Sequence, residues 1–193
     1  YSCMRSSAMQ SILADIEARV WNHHRLERIT DLFIAPSEFM HNKMLEAGFP
    51  RRKLTTICNF IDPLKLRAIA SLGVNGSPDD YFCYIGRLSD EKGTETMLAA
   101  AAEAGVKLKV AGDGPLLLQM KKKYADNPDI EFLGHLDGDG VIRLLRSAKA
   151  SIMPSEWYEN NPLGVIESLC CGTPVIGARI GGIPELLTEA NGV

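Results

Sequence analysis

The stretch PSEWYENNPLGVIESLCCGTPVIGAR, residues 154–179, decides the fold class, because a loop, a helix and a strand follow one another in it. Asn161 is a good helix N-cap, and Pro162 fits the first helical position, where a missing N–H costs nothing. We therefore predict a helix over residues 162–171 that ends at Gly172. A short apolar strand is predicted directly after it.

Two glutamates, Glu159 and Glu167, flank the predicted helix start with seven residues between them. Glu159 is predicted in the loop. Glu167 is predicted inside the helix, about 7 to 8 Å along its axis, given the helical rise per residue. This separation suits an extended ligand that has its anionic group at the positive helix N-terminus.

Composition excludes several classes of protein. The 193 residues carry a formal net charge of −3, which argues against a nucleic-acid-binding protein that relies on bulk positive charge. A hydrophobic content of 46% is enough for a core, and no apolar run reaches the roughly eighteen residues of a membrane-spanning helix. The five cysteines form no C-x-x-C pair, so we predict reduced core thiols in a cytoplasmic protein.

The first part of the chain is predicted to form one amphipathic helix over residues 4–29. Its apolar positions recur at intervals of three and four, and its other face carries Arg19, Arg25 and Arg28. A basic amphipathic helix can lie on an anionic membrane. A solvated face on a packed helix explains the same pattern, and we favour that interpretation.

Short apolar segments alternate with helical patterns over the rest of the chain. This alternation predicts an α/β fold with a mostly parallel sheet and helices on both faces. The predicted strands cover residues 31–35, 53–61, 81–85, 107–110, 129–133, 150–153 and 174–176. The predicted further helices cover residues 38–47, 64–72, 94–104, 115–124, 140–147, 162–171 and 183–188. Ligands of such sheets bind beyond the carboxyl ends of the strands.

The loop GRLSDEKG, residues 86–93, contains a basic pair. Arg87 offers a planar fork for phosphate oxygens and Lys92 a point charge, so together they could hold a diphosphate. A solvated loop in which Arg87 pairs with Asp90 or Glu91 explains the sequence equally well.

The loop AGDGP, residues 111–115, follows another predicted strand. Gly112 and Gly114 let the backbone approach a ligand closely. An ordinary strand-to-helix turn explains them as well, because G-x-G without a third glycine is a weak signal for nucleotide binding.

No metal site is predicted. Asp137 and Asp139 have D-x-D spacing, but they open a predicted helix, so Asp139 is interpreted as an N-cap or turn residue. One histidine, His135, does not make a site. The chain also lacks the G-x-S-x-G motif of many serine hydrolases.

Four motifs in one order and spacing resemble the C-terminal, donor-binding half of family 4 glycosyltransferases: GRLSDEKG, VAGDGP, FLGHL and the stretch from residue 154. The resemblance is strong from residue 81 onward and weaker over residues 31–62. It implies the GT-B architecture, in which two Rossmann-like domains face each other across a cleft. We expect the end of an acceptor-side domain over residues 1–62, a helix and linker over 63–80, and a donor-binding Rossmann-like domain over 81–193.

The resemblance also implies a role for each matching residue. Arg87 and Lys92 would hold the donor diphosphate and stabilise charge on the departing nucleoside diphosphate. Glu159 would face the donor sugar, and Glu167 would hydrogen-bond the ribose hydroxyls. The remaining substrate-binding positions are the loop glycines Gly86, Gly112 and Gly114, the helix start Asn161, Pro162 and Leu163, and the backbone of His135 and Leu136 near the nucleobase.

The implied function is a retaining, metal-independent transfer of a sugar from a nucleoside-diphosphate sugar to a glycan, lipid-linked or other acceptor, as in polysaccharide biosynthesis. No cofactor and no nucleic acid are expected. The implied location is the cytoplasm, with peripheral contact at the inner membrane face through the acceptor-side domain. Alternatives are a non-catalytic nucleotide-sugar-binding domain and a GT-B phosphorylase-like or epimerase-like enzyme. We expect this chain to be a piece of a longer protein that supplies mainly the donor site and transfers no sugar alone.

Overall fold

The computed structural model describes residues 8–21, 23–71 and 79–193 of the chain. The chain divides into two compact units, Tyr1–Cys58 and Asn59–Val193. Most of the predicted linker, residues 72–78, lies outside the described residues. Within the described ranges, no helix is long and apolar enough to cross a membrane.

The first unit begins with two helices and continues with a strand, a helix and a second strand. Its elements are α1 (Ala8–Val20), α2 (His23–Ile29), β1 (Phe33–Ala35), α3 (Glu38–Glu46) and β2 (Leu54–Thr56). The two strands pair in parallel over three residues each. The Ser37 hydroxyl caps α3 by accepting a hydrogen bond of 3.1 Å from the Met40 N–H.

Two predictions for the first unit were wrong in extent. The single helix predicted over residues 4–29 is two helices, because α1 ends at Val20 and the chain turns at Trp21 before α2 begins at His23. Residues 4–7 lie outside the described ranges. The strand over 53–61 covers only β2, because β1 offers three residues for pairing.

The second unit alternates helices and strands. Its elements are α4 (Pro63–Ser71), β3 (Phe82–Ile85), α5 (Thr94–Ala104), β4 (Leu108–Ala111), α6 (Leu117–Lys123), β5 (Ile130–Gly134), α7 (Gly138–Ser147), β6 (Ala150–Met153), α8 (Leu163–Cys170) and β7 (Val175–Gly177). The sheet has the order β5-β4-β3-β6-β7, and every named strand pair in it is parallel. The predicted parallel α/β architecture is confirmed.

Both faces of this sheet are buried. Cys83 and Tyr84 are neighbours on β3, and they belong to two different buried clusters because successive strand side chains point to opposite faces. The Cys83 cluster includes residues of α4 and α7, whereas the Tyr84 cluster includes residues of α5 and α6.

The strand order identifies where a ligand would bind. The strands β4 and β5 lie on one side of β3, whereas β6 and β7, which come later in the chain, lie on its other side. Ligands of open parallel sheets bind at such a reversal, in the crevice outside the carboxyl ends of the strands. The loops after β3 and β6 therefore border the expected crevice.

Several helix ends in the second unit differ from the prediction; for example, the helix predicted over 140–147 begins at Gly138. The helix predicted over 115–124 begins at Leu117, because the Leu116 N–H donates to the Leu88 carbonyl, 3.1 Å away, in the neighbouring loop. The helix predicted over 183–188 is a 3₁₀ turn, Ile183–Glu185.

The described cysteines are free, as predicted, but only half of them lie in the core. Cys83 and Cys171 are buried, whereas Cys58 and Cys170 are exposed. Cys3 lies outside the described residues.

Candidate functional site

The loops after β3 and β6 meet through an ion pair. Lys92 belongs to a 3₁₀ turn, Asp90–Lys92, and its Nζ contacts Oε1 of Glu159. The two side chains are only 33% and 18% exposed. Ser155 Oγ donates a second hydrogen bond of 2.8 Å to the same carboxylate oxygen. Two of the predicted site residues are thus brought together at the crevice between β3 and β6.

The backbones of these two loops are also in direct contact. The Glu156 N–H donates to the Glu91 carbonyl at 3.0 Å. A Cβ on Gly93 would lie 2.0 Å from the Pro154 carbonyl oxygen, so any side chain at residue 93 would separate the loops. This packing fixes the backbone on both sides of the Lys92–Glu159 pair.

The loops after β3, β4 and β5 are joined in turn. Three backbone hydrogen bonds of 2.7 to 3.0 Å connect Gly86 to Ala111, Leu88 to Asp113, and Gly112 to Gly134. Together they place the predicted positions of GRLSDEKG, AGDGP and FLGHL on one edge of the sheet. His135 is exposed there, and Leu136 packs against the Cys83 cluster.

Gly112 and Gly114 are needed for loop packing. Gly112 has a φ of +134°, and a Cβ on it would lie 1.9 Å from the Gly86 carbonyl oxygen. A Cβ on Gly114 would lie 2.3 Å from the Leu88 carbonyl oxygen. The two glycines therefore let the loop after β4 pack directly on the loop that carries Arg87 and Lys92.

Tyr84 supports the start of the basic loop. Its hydroxyl donates a 2.7 Å hydrogen bond to the Arg87 carbonyl, and burial raises the Tyr84 pKa to about 12. A Cβ on Gly86 would lie 2.8 Å from this hydroxyl oxygen. The Arg87 side chain is exposed, and within the described ranges it forms no ion pair with Asp90 or Glu91. The alternative in which such a pair occupies Arg87 is not observed.

The start of α8 differs from the predicted capping. The N-cap is Pro162, with extended backbone, and the first helical residue is Leu163. Within the described chain no side chain caps this helix, and the carbonyl of Pro162 accepts from the N–H groups of Val165 and Ile166. The first-turn N–H groups of Leu163 and Gly164 thus lack a side-chain cap, which suits an anion.

Asn161 does not cap α8 because its side chain is engaged elsewhere. Its Oδ1 accepts a 3.0 Å hydrogen bond from the Asn59 N–H, and its backbone carbonyl accepts a 2.7 Å bond from Asn59 Nδ2. Asn161 is 3% exposed, and its own Nδ2 is buried without a partner in the described structure. This residue joins the entry of α8 to the segment before α4.

Glu167 lies on α8, which follows the loop that carries Glu159. It lines a small cavity together with Ile85, Met153 and Gly164, at the carboxyl ends of β3 and β6. Its Oε1 is paired with Lys65 Nζ of α4. The structure thus places both predicted glutamates around the same crevice.

The D-x-D pair opens a helix, as predicted, but the capping residue is different. Asp137, not Asp139, caps α7, and its carboxylate accepts a 2.7 Å bond from the Gly140 N–H. Among residues 8–21, 23–71 and 79–193, no three or more His, Cys, Asp or Glu side chains form a group that could hold a metal ion.

Four residues around this site are absent from the sequence prediction: Lys65, Asn59, Ser155 and Tyr84. Ser155 follows β6 within the quoted stretch, so its position after a strand was an available signal. Lys65 and Asn59 each contact a residue 102 positions later in the chain, and no local pattern encodes such a pairing.

Comparison with known proteins gives a family match and several relatives. The model of the family described as "Glycosyl transferases group 1" matches residues 72–193. Glycogen synthase of Mycobacterium tuberculosis is 31% identical in an alignment of 175 residues that covers 86% of this chain and 42% of the relative. A GDP-mannose-dependent alpha-(1-6)-phosphatidylinositol dimannoside mannosyltransferase of the same species is 37% identical over 115 residues, 56% of this chain and 30% of the relative. The chain therefore spans less than half the length of these relatives.

Solved structures share the fold. Anabaena Alr3699/HepE, crystallised in complex with UDP, superposes with a TM-score of 0.70 at 23% identity, over 88% of this chain and 50% of that one. Sucrose-phosphate synthase from Thermosynechococcus elongatus gives a TM-score of 0.69 at 24% identity, over 89% of this chain and 47% of the other. Because the family model covers more than half of the sequence, this chain belongs to the group 1 glycosyl transferases.

Proposed function

We propose that residues 81–193 form the donor-binding domain of a family 4 glycosyltransferase. The reaction would move a sugar, with retention and without a metal ion, from a nucleoside-diphosphate sugar to a glycan, lipid-linked or other acceptor. Residues 1–62 would belong to the acceptor side, and residues 63–80 would link the two. The observation that carries the proposal is the meeting of Lys92 and Glu159 at the crevice between β3 and β6.

The charges around this crevice support the proposed donor class. Lys92, the exposed Arg87 and the uncapped start of α8 supply positive charge from two neighbouring loops. A diphosphate is an anion of suitable extent for these groups. Structures with this fold include complexes with UDP and with UDP-glucose, which supports a nucleotide sugar as the ligand.

The same groups suit the charge changes of sugar transfer. Breaking the bond between sugar and diphosphate builds negative charge on the leaving group, and cations fixed beforehand lower that barrier. Positive charge develops on the sugar ring at the same time, and the Glu159 carboxylate would stabilise it. Ser155 holds this carboxylate in place.

The ion pair between Lys92 and Glu159 would have to open when a diphosphate binds. The two opposite charges neutralise each other, and both side chains are largely shielded from solvent. A bound diphosphate competes with Glu159 for Lys92, which releases the carboxylate toward the sugar. Glu167 lies farther along α8 and would accept hydrogen bonds from the ribose hydroxyls.

Thermal unfolding of the 193-residue chain with UDP, GDP and ADP in turn tests this proposal. At a ligand concentration of 100 times the dissociation constant, binding stabilises the folded state by about 2.7 kcal/mol. For a chain of this size that corresponds to roughly 5 to 10 °C in melting temperature. We expect one diphosphate to act in this way and its monophosphate to act much less. If none of the three diphosphates raises the melting temperature, the proposed donor site is wrong.

A further inference from the structure

Lys65 of α4 lies outside every motif that identifies the family, yet it contacts one of the proposed site residues. Its Nζ pairs with Oε1 of Glu167. The two side chains are 33% and 21% exposed, so the pair is partly shielded from solvent. Within the described part of the chain, the other carboxylate oxygen of Glu167 has no hydrogen-bond partner.

The helix that carries Lys65 is fixed against the rest of the second unit at both of its ends. Before it, Asn59 makes two hydrogen bonds to Asn161 at the entry of α8. Near its end, Ile69 is 4% exposed and shares a buried cluster with Cys171. The pairs 59–161 and 65–167 are both separated by 102 residues in the sequence. The segment 59–65 and the segment 161–167 therefore lie side by side and run in the same direction.

We propose that Lys65 is a positioning residue that fixes the Glu167 carboxylate for recognition of the ribose hydroxyls. This inference rests on the proposed function. A glutamate side chain has three rotatable torsions, and its terminal carboxylate rotates broadly. The ammonium group of Lys65 holds one oxygen and leaves the other to accept a hydrogen bond from the ribose.

The charges of Lys65 and Glu167 support the same role for Lys65. An isolated carboxylate beside a diphosphate ligand is repelled by it, whereas a carboxylate paired with an ammonium group is locally neutral. Lys65 therefore lets Glu167 lie close to the nucleotide without opposing diphosphate binding. The selectivity of the site for a ribose would then depend on α4, a helix that contributes no other proposed ligand contact.

The test compares two ligands in three proteins and a control. Isothermal titration measures the affinity of the 193-residue chain for UDP, GDP or ADP, whichever binds, and for its 2′,3′-dideoxy counterpart. The variants are Lys65→Met, which keeps the aliphatic stem and loses the charge, and Lys65→Arg, which keeps the charge. Lys123→Met is the control for the loss of one lysine charge, because Lys123 forms a more exposed ion pair with Glu95 on α5, outside the proposed site.

In the wild-type chain we expect the ribonucleotide to bind roughly 10-fold more tightly than the dideoxy nucleotide, since hydrogen bonds to a carboxylate are strong. Lys65→Met should reduce this ratio to about 2, whereas Lys65→Arg and Lys123→Met should preserve most of it. If Lys65→Met only disturbed the packing of the site, it would weaken the binding of both nucleotides equally and leave the ratio of their affinities unchanged.

Each contrary outcome has a different meaning. If Lys65→Met keeps the wild-type ratio, Lys65 does not position Glu167, and the proposed donor site still stands. If the wild-type chain binds both nucleotides equally, recognition of the ribose by Glu167 is wrong, and the role of Lys65 is wrong with it. If no diphosphate binds the wild-type chain, the proposed function itself fails.

Discussion

Lys92 and Glu159 are 67 residues apart in the sequence, and their side chains form an ion pair where the loops after β3 and β6 meet. The pair lies at the reversal of strand order in a parallel sheet, where ligands of such folds bind. Each partner is expected to have a separate role, one toward the diphosphate and one toward the sugar. Substitutions of the two residues should therefore have different effects.

Lys92→Met should weaken nucleoside diphosphate binding by roughly 10- to 100-fold, because a hydrogen bond from an ammonium group to a phosphate oxygen is lost. Isothermal titration of the 193-residue chain measures this loss. The free energy of unfolding should also fall, because Glu159 is only 18% exposed and loses the cation that neutralises it, so the affinity is measured well below the melting temperature. Lys123→Met is the control. An equal loss of affinity in that variant would show that the net charge of the chain, and not a contact of Lys92, explains the loss.

Glu159→Gln should have the opposite effect on binding. Removing the carboxylate frees Lys92 for the ligand, so the affinity for the nucleoside diphosphate should stay the same or rise. Sugar transfer should fall by at least about 100-fold, because charge on the sugar ring loses its stabilising partner. Transfer is measured in a protein that carries complete donor and acceptor sides. Unchanged turnover in Glu159→Gln would remove Glu159 from the reaction.

Gly112→Ala should destabilise the second unit by more than about 2 kcal/mol, because backbone strain adds to a steric clash. The new Cβ would lie 1.9 Å from the Gly86 carbonyl oxygen. Urea unfolding followed by circular dichroism measures the change. Gly105→Ala is the matched control: Gly105 also has a positive φ, +61°, but a Cβ added there would meet open space, so only the strain of about 1 kcal/mol remains. Equal losses in the two variants would contradict the proposed packing of the loops.

Alkaline pH should destabilise the fold through its buried thiols. Burial raises the pKa of Cys83 to about 12 and that of Cys171 to about 11, from an ordinary value near 9.0. Above pH 9 the thiols of the unfolded chain lose their protons, whereas the buried thiols of the folded chain keep them. The free energy of unfolding is therefore highest below pH 9 and falls as the pH rises toward 11 to 12. Each group contributes a slope of up to about 1.4 kcal/mol per pH unit.

Urea unfolding at a series of pH values between 8 and about 10.5 measures this slope. Cys83→Ala removes one titrating group and should make the slope shallower, although the variant is less stable at every pH. A slope that does not change in this variant would show that Cys83 does not contribute to the alkaline loss.

Much of the fold could be predicted from the sequence, because strands of parallel sheets are short apolar runs between helical patterns. The strand over Ala150–Met153 and the helix over Thr94–Ala104 have the predicted bounds. The errors lie where tertiary contacts decide the ends of elements. The Leu116 N–H donates to the Leu88 carbonyl, so α6 begins one residue later. The strand β2 ends where β1 has no further residue to pair with it.

The site was predictable only in part. The basic loop and the two glutamates are visible in the sequence because each follows a strand or opens a helix. The engagement of Asn161 with Asn59, and of Glu167 with Lys65, depends on how α4 lies beside α8, which no local pattern encodes. The predicted capping role of Asn161 was wrong for the same reason.

The central claim is that a nucleoside diphosphate binds at the crevice between β3 and β6. A crystal structure of the chain with the most stabilising of UDP, GDP and ADP tests it most directly. We expect phosphate oxygens within hydrogen-bond distance of Lys92 Nζ and the start of α8, with the ribose beside Glu167. A nucleotide bound away from the loops after β3 and β6 would contradict it.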